Sequence, residues 1–146
     1  MMTMKEVQEQ IVEEFSAFDD WMDRYSLLIE MGNRLQAEEK PVTKTEENLI
    51  EGCQSRVWME AEYIDGKIFF RGESDAVIVR GIVALLVRVL SGRTPQEILE
   101  GELTFIEAIG LREHLSPTRS NGLLAMLKQM RMYALAYQAQ AREHSA

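Results

Sequence analysis

A chain of 146 residues with 46% hydrophobic side chains is the size of one ordinary domain and can bury a core without help from metals or disulfides. Its net charge of −8 excludes the concentrated basic surface that nucleic-acid binding needs, and its single cysteine excludes an internal disulfide. The charge is unevenly spread, since residues 1–51 hold 13 acidic and 5 basic side chains while residues 52–146 hold 11 of each.

The acidic amino-terminal third serves either solubility or steering toward a basic partner. No basic, apolar leader with a small-residue cleavage site opens the sequence. Together with the lone cysteine, this leads to the expectation of a reducing cytoplasm. Val7, Ile11, Phe15, Phe18, Met22, Tyr25, Ile29 and Leu35 recur in steps of three and four, with Gly32 inside the last gap. This stripe predicts two amphipathic helices, with Asp19 or Asp20 capping the second. Residues 37–48 turn polar around Pro41 and read as a surface connection.

Val57 to Gly72 is predicted to be a hairpin turning at Asp65-Gly66, two residues that tolerate the positive φ of a type I′ turn. The turn sets the register. Ile64 pairs with Lys67, Tyr63 with Ile68 and Ala61 with Phe70, which puts Val57, Met59, Ala61, Tyr63, Ile68 and Phe70 on one face. On the other face Glu60 falls opposite Arg71, near Trp58 and Phe69. A short strand over 48–50 is expected as a third member.

The run from Val77 to Leu90 is broken by Arg80 and Arg88. It falls short of the roughly 20 apolar residues of a membrane span, so it is expected as a central buried helix. Ser74 and Asp75 are expected to cap its start and Ser91-Gly92 to end it. Arg80 and Arg88 are expected to pair with carboxylates or to reach the surface along their stems. Thr94-Pro95-Gln96-Glu97 is a capping box whose short helix Gly101 ends. Ser116-Pro117 opens a last helix with Leu123, Met126, Leu127, Met130, Tyr133 and Tyr137 on one face and a polar tail, from Gln138, expected to fray. The fold class is α+β, a single domain over 1–146 with helices packed on one side of a small antiparallel sheet.

Cys53 lies in Glu51-Gly52-Cys53-Gln54-Ser55-Arg56, just ahead of the first hairpin strand. A lone cysteine is most often a small buried hydrophobe, but these neighbours are polar. Gly52 allows close approach of the backbone, and Arg56 either favours the thiolate or faces solvent. Arg119 is either a surface arginine meeting Asp75 or Glu73, or a cation near Cys53 or a partner. His114 is either a structural residue or a base. His144 lies in the tail and is expected to be inert.

The strings LIEGCQSRVW, GESDAVIVRGI, GRTPQEIL and LREHLSPTRSNGL, in that order and spacing, resemble the SufE family of sulfur acceptor proteins over about residues 10–132. The resemblance implies a fold similar to the IscU-type iron–sulfur scaffolds. It also implies that Cys53 takes persulfide sulfur from a SufS-type, pyridoxal-phosphate cysteine desulfurase, stimulates it, and delivers the sulfur to a downstream iron–sulfur scaffold. Gly52, Gln54, Ser55, Arg56, Asp75, His114 and Arg119 would then support the transfer or bind the partner. No cofactor, metal, nucleic acid or membrane is implied for this chain itself, which would be a monomer or a homodimer. Glu51 departs from the family pattern, and a carboxylate this close to the thiol disfavours the thiolate. Competing readings are a metal-binding scaffold for nascent clusters, a hydrolase using Cys53 and His114, and a non-catalytic interaction module. One Cys and two His are few ligands for the scaffold.

Overall fold

The computed structural model of the chain describes residues 2–38, 41–51 and 55–145, with side chains as far as Arg142. The opening stripe splits as its pattern predicts. Helix α1 (Met4–Ser16) starts at a capping box between Thr3 and Glu6, and α2 (Trp21–Glu38) follows a four-residue break. Asp20 marks the new start by accepting the Met22 N–H at 2.9 Å. The break shifts the helical phase, so Phe18 and Met22 are exposed and the second helix buries Leu28, Met31 and Gly32 instead.

Strands β1 (Val57–Ile64) and β2 (Lys67–Ser74) pair antiparallel in the predicted register. Asp65 at φ 51° and Gly66 at φ 80° make the turn, the geometry that favours asparagine, aspartate and glycine there. Val57, Met59, Ile68 and Phe70 are buried on one face. Residues 48–50 do not form a third strand. They give only one bridge, Leu49 to Trp58, with Ile50 N–H donating to Val57 O at 2.8 Å.

A two-stranded sheet leaves two edges open to unwanted pairing, and here helices and turns cover both. On β1 the Tyr133 and Tyr137 hydroxyls donate to the carbonyls of Met59 and Ala61 at 3.4 and 3.1 Å. On β2 the Ile68 N–H donates to Arg93 O, the Gly92 N–H to Ile68 O, and the Phe70 N–H to Ser91 Oγ.

Helix α3 (Val77–Leu90) is the centre of the core, with ten of its residues buried between β2, α1 and α2. Its contact with α2 is unusually close. A Cβ on Gly32 would lie 2.7 Å from Gly81 N, and one on Gly81 would lie 2.8 Å from the Leu28 carbonyl carbon. Only paired glycines let the two backbones touch. Arg88 reaches the surface paired with Glu14 of α1, and Arg80 bonds neutral oxygens of Ser74 and Asn33 rather than a carboxylate.

Helix α4 (Pro95–Glu100) has the predicted Thr94–Glu97 capping box and stops at Gly101. The short α5 (Phe105–Ala108) is held by the buried Gln8, whose amide donates to Glu102 O and accepts from the Phe105 N–H. A 3₁₀ turn at Arg112–His114 leads into α6 (Pro117–Ser145), where Ser116 Oγ accepts the Arg119 N–H. Leu123, Met126, Met130 and Ala134 of α6 are buried. The helix runs on to Ser145 instead of fraying at Gln138, because its tail still has packing partners, with Gln138 and Ala141 half-buried and facing a cleft shared with Tyr63, Thr94 and Pro95. The His144 side chain lies outside the described residues.

On the outer sheet face Glu60 is a junction. One carboxylate oxygen accepts Arg71 at 2.8 Å, and the other accepts the Thr43 N–H and the Asn48 amide at 2.9 Å each. The Arg71 bond first, and the Thr43 backbone bond with it, outweigh burial and hold this carboxyl below the ordinary glutamate range. Its stabilisation is therefore present at neutral pH and is lost as pH falls through the lowered value. Glu60→Gln is expected to cost about 1 kcal/mol at neutral pH, with the difference from wild type shrinking in acid, as read from urea melts at both pH values.

Candidate functional site

The segment containing Cys53 is fixed at both ends. On its near side the Ile50–Val57 hydrogen bond and the Leu49–Trp58 bridge tie the chain to β1. On its far side Arg56 is clamped through its main chain. Its N–H donates to Asp75 Oδ1 at 3.1 Å, and its carbonyl accepts from Ser74 Oγ at 2.8 Å and from the Asp75 N–H at 3.3 Å. Gly52, Cys53 and Gln54 lie between these anchors in sequence and outside the described residues. Ser55 is half-buried and Arg56 exposed.

The clamp corrects the expected capping role of Ser74 and Asp75. Helix α3 starts at Val77 behind Ala76, with no side-chain cap. Ser74 belongs to the end of β2, where its hydroxyl bridges Arg56 O and the Ala76 N–H. A residue already paired across a hairpin is not free to cap the next helix. Arg80 then donates to Ser74 O at 3.1 Å and to Asn33 of α2 at 3.3 Å, extending the support back into the helical layer. Asn33 was not legible as a supporting residue; the glycines beside it and beside Arg80 were the available signal, since a glycine inside a helix costs about 1 kcal/mol and needs a reason. Asp75→Ala is expected to speed amide exchange at Arg56 by up to about tenfold, the worth of one modest hydrogen bond. Asp75→Asn, which keeps an acceptor, should exchange as wild type does.

The two other candidates make no hydrogen bond or ion pair to this clamp among the described residues. Arg119 is exposed and its guanidinium has no hydrogen bond or ion pair among the described residues. The anticipated acids are otherwise engaged, Glu73 by Lys44 at 3.2 Å and Asp75 by Arg56. His114 stacks on Trp21 with centroids 4.0 Å apart, its Nδ1 lies 2.8 Å from Gly110 O, and its carbonyl accepts the Tyr25 hydroxyl. These contacts tie His114 to the start of α2, whereas Arg80 joins the clamp to Asn33 near that helix's end. Among the described residues no group of three or more His, Cys, Asp or Glu side chains could hold a metal ion. No described helix is long and apolar enough to cross a membrane.

The model of the SufE family, described as an Fe–S metabolism associated domain, matches residues 9–134. The chain belongs to the SufE family. An uncharacterised SufE-like protein of Synechocystis is 41% identical over 131 residues, spanning 88% of this chain and 80% of that one. Another from Rhizobium meliloti is 41% identical over 133 residues, with 86% and 93% covered. The SufE-like protein 1 of Arabidopsis thaliana, chloroplastic/mitochondrial, is 37% identical over 139 residues, which cover 94% of this chain and 37% of that longer protein. In fold, the solution structure of a hypothetical protein from Thermus thermophilus superposes with a TM-score of 0.73 at 24% identity, covering 91% of this chain and 96% of that one. This SufE-family chain thus has a role in Fe–S metabolism and shares an α+β fold with that solved structure.

Proposed function

We propose that this protein accepts sulfur from a cysteine desulfurase as a persulfide on Cys53 and hands it on for iron–sulfur cluster assembly. The observation that carries this reading is the SufE match spanning a Gly-Cys-Gln-Ser sequence between two anchored ends, Ile50–Val57 before the hairpin and Arg56–Asp75 after it. Firm ends around a polar segment suit a cysteine that must meet another protein, because transfer needs an accessible thiolate and little else.

The step is an exchange between thiols. The Cys53 thiol gives its proton to solvent, and the thiolate attacks the outer sulfur of the donor persulfide. A new S–S bond forms on Cys53, the donor's S–S bond breaks, and the donor cysteine leaves as thiolate with no net oxidation. Removing that sulfur frees the donor for its next turnover, which accounts for stimulation of the desulfurase. Pyridoxal phosphate belongs to the donor, and a reducing cytoplasm keeps Cys53 available between cycles.

Intact-mass analysis after incubation with cysteine and a cognate desulfurase tests the proposal. One added sulfur atom, removable by a thiol reductant and mapped to Cys53, is the expected result. A chain that gains no labile sulfur while the desulfurase turns over would overturn it.

A further inference from the structure

Beside the anchored start of the Cys53 segment lies a groove of about 570 Å³ between residues 46–51 and the middle of α6. One wall is held firmly, by the Ile50–Val57 hydrogen bond and by the Asn48 amide on Glu60 and Thr43 O. The other is the rigid side of α6, with Ala125, Gln129 and Tyr133 facing in. Glu46, Glu47 and Glu51 stand on the lip, exposed and without an ion pair among the described residues, while Lys128 is the one basic residue of the described lining.

The apolar surface runs past the groove itself. Leu49 and Met132 line it and are 37% and 51% exposed, and Leu124 and Leu135 continue along the same face of α6 at 49% and 55%. From Leu124 to Leu135 that face is roughly 16 Å long at helical rise. This exceeds the reach of a small metabolite and has the form of a protein-docking surface, apolar at the centre and charged at the rim.

We propose that this groove docks the sulfur donor, through a donor segment carrying lysine or arginine beside a leucine- or methionine-sized side chain. The inference rests on the sulfur-acceptor reading. Charge complementarity selects a basic segment: the lip contributes three of the acids that make the first 51 residues acidic, and their fields guide encounter with a basic surface. Position selects the donor over an unrelated partner. Glu51 is both a lip residue and two residues from Cys53, so chain length keeps whatever fills the groove within reach of the thiol. Docking would also set a cation against Glu51, two residues from Cys53 in sequence, and so remove a charge that disfavours a thiolate at that spacing. Nucleophilicity would then rise when the donor arrives.

Binding is measured on the full chain carrying Cys53→Ser, titrated with the cognate desulfurase by calorimetry at low and high salt, so that no sulfur moves. Two variants in that background, Glu46→Lys with Glu47→Lys, and separately Met132→Asp, are each expected to raise Kd at least about tenfold, the effect of disrupting a charged rim or an apolar anchor. The charge reversal should also flatten the salt dependence. Glu9→Lys with Glu13→Lys on α1, two exposed residues that do not line the groove, changes the charge equally and should leave Kd within about twofold, because salt screens exposed charges outside the contact. The proposal is overturned if the groove variants bind like their parent, if the α1 variant weakens binding as much, or if the parent does not bind. It also fails if the parent is a dimer that Met132→Asp separates, which would make the groove an interface between copies. Sulfur uptake by the wild-type chain is read independently by mass. Groove-dependent binding without uptake would remove the acceptor reading alone.

Discussion

Cys53→Ser is expected to abolish sulfur uptake completely and to return desulfurase turnover to the rate of the enzyme alone. Serine is nearly the same size, but its hydroxyl is not ionised near neutral pH and oxygen cannot hold a labile sulfane sulfur, so the exchange has no nucleophile. Nothing else in the chain can substitute, because it has one cysteine. The fold should be indifferent. The anchors on either side act through main-chain groups of Ile50, Val57 and Arg56, none of which the substitution changes, so circular dichroism and melting temperature should match wild type. The informative failure is a variant that takes up no sulfur yet stimulates the desulfurase fully. That pattern would make the protein an activator by contact, with Cys53 incidental to the stimulation.

How far the sequence anticipated the molecule depended on how local each cause was. The register of the hairpin was legible to the residue, because Asp65-Gly66 specifies the turn and the turn specifies every pair from Ile64–Lys67 to Met59–Gly72, but β2 runs two residues past the expected end, to Ser74. The Thr94 capping box was equally legible, since all its partners lie within three residues. Errors came where a local signal had a distant competitor. Ser74 and Asp75 have the composition of a helix start, but Arg56, eighteen and nineteen residues earlier, claims both. The stripe through Phe18 and Met22 failed because a break between helices resets their phase. At the candidate site the motif around Cys53 was legible, and so was Asp75, as a helix cap or a support for sulfur transfer. Its partner was not, because a bond from a side chain to a backbone N–H leaves no pattern in residue types. One of the two readings of Arg119 places it beside Glu73 or Asp75, and both acids are bonded to other groups, Glu73 to Lys44 and Asp75 to Arg56.

Gly81→Ala is the substitution expected to damage the fold most. Helix propensity argues the opposite, since alanine in place of a helical glycine is favoured by about 1 kcal/mol. Packing reverses the sign. The new methyl would sit 2.6 Å from Leu28 Cγ and collide with the Leu28 backbone, and Leu28 is fully buried in α2. It cannot move aside without parting the two helices. Overpacking of this kind costs roughly 1–3 kcal/mol and more where backbone must shift, so a net loss of about 3 kcal/mol and a fall of about 6–12 °C in melting temperature are expected. The damage should travel in one direction. Parting α2 from α3 pulls Asn33 away from Arg80, Arg80 then releases Ser74 O, and the clamp on Arg56 loosens. Amide exchange at Arg56 should therefore quicken in any Gly81→Ala protein that still folds, while exchange at the turn residues Asp65 and Gly66 stays as it was. A melt as high as that of wild type would mean that α2 and α3 separate at little cost, and that the Cys53 segment owes its footing to the hairpin alone.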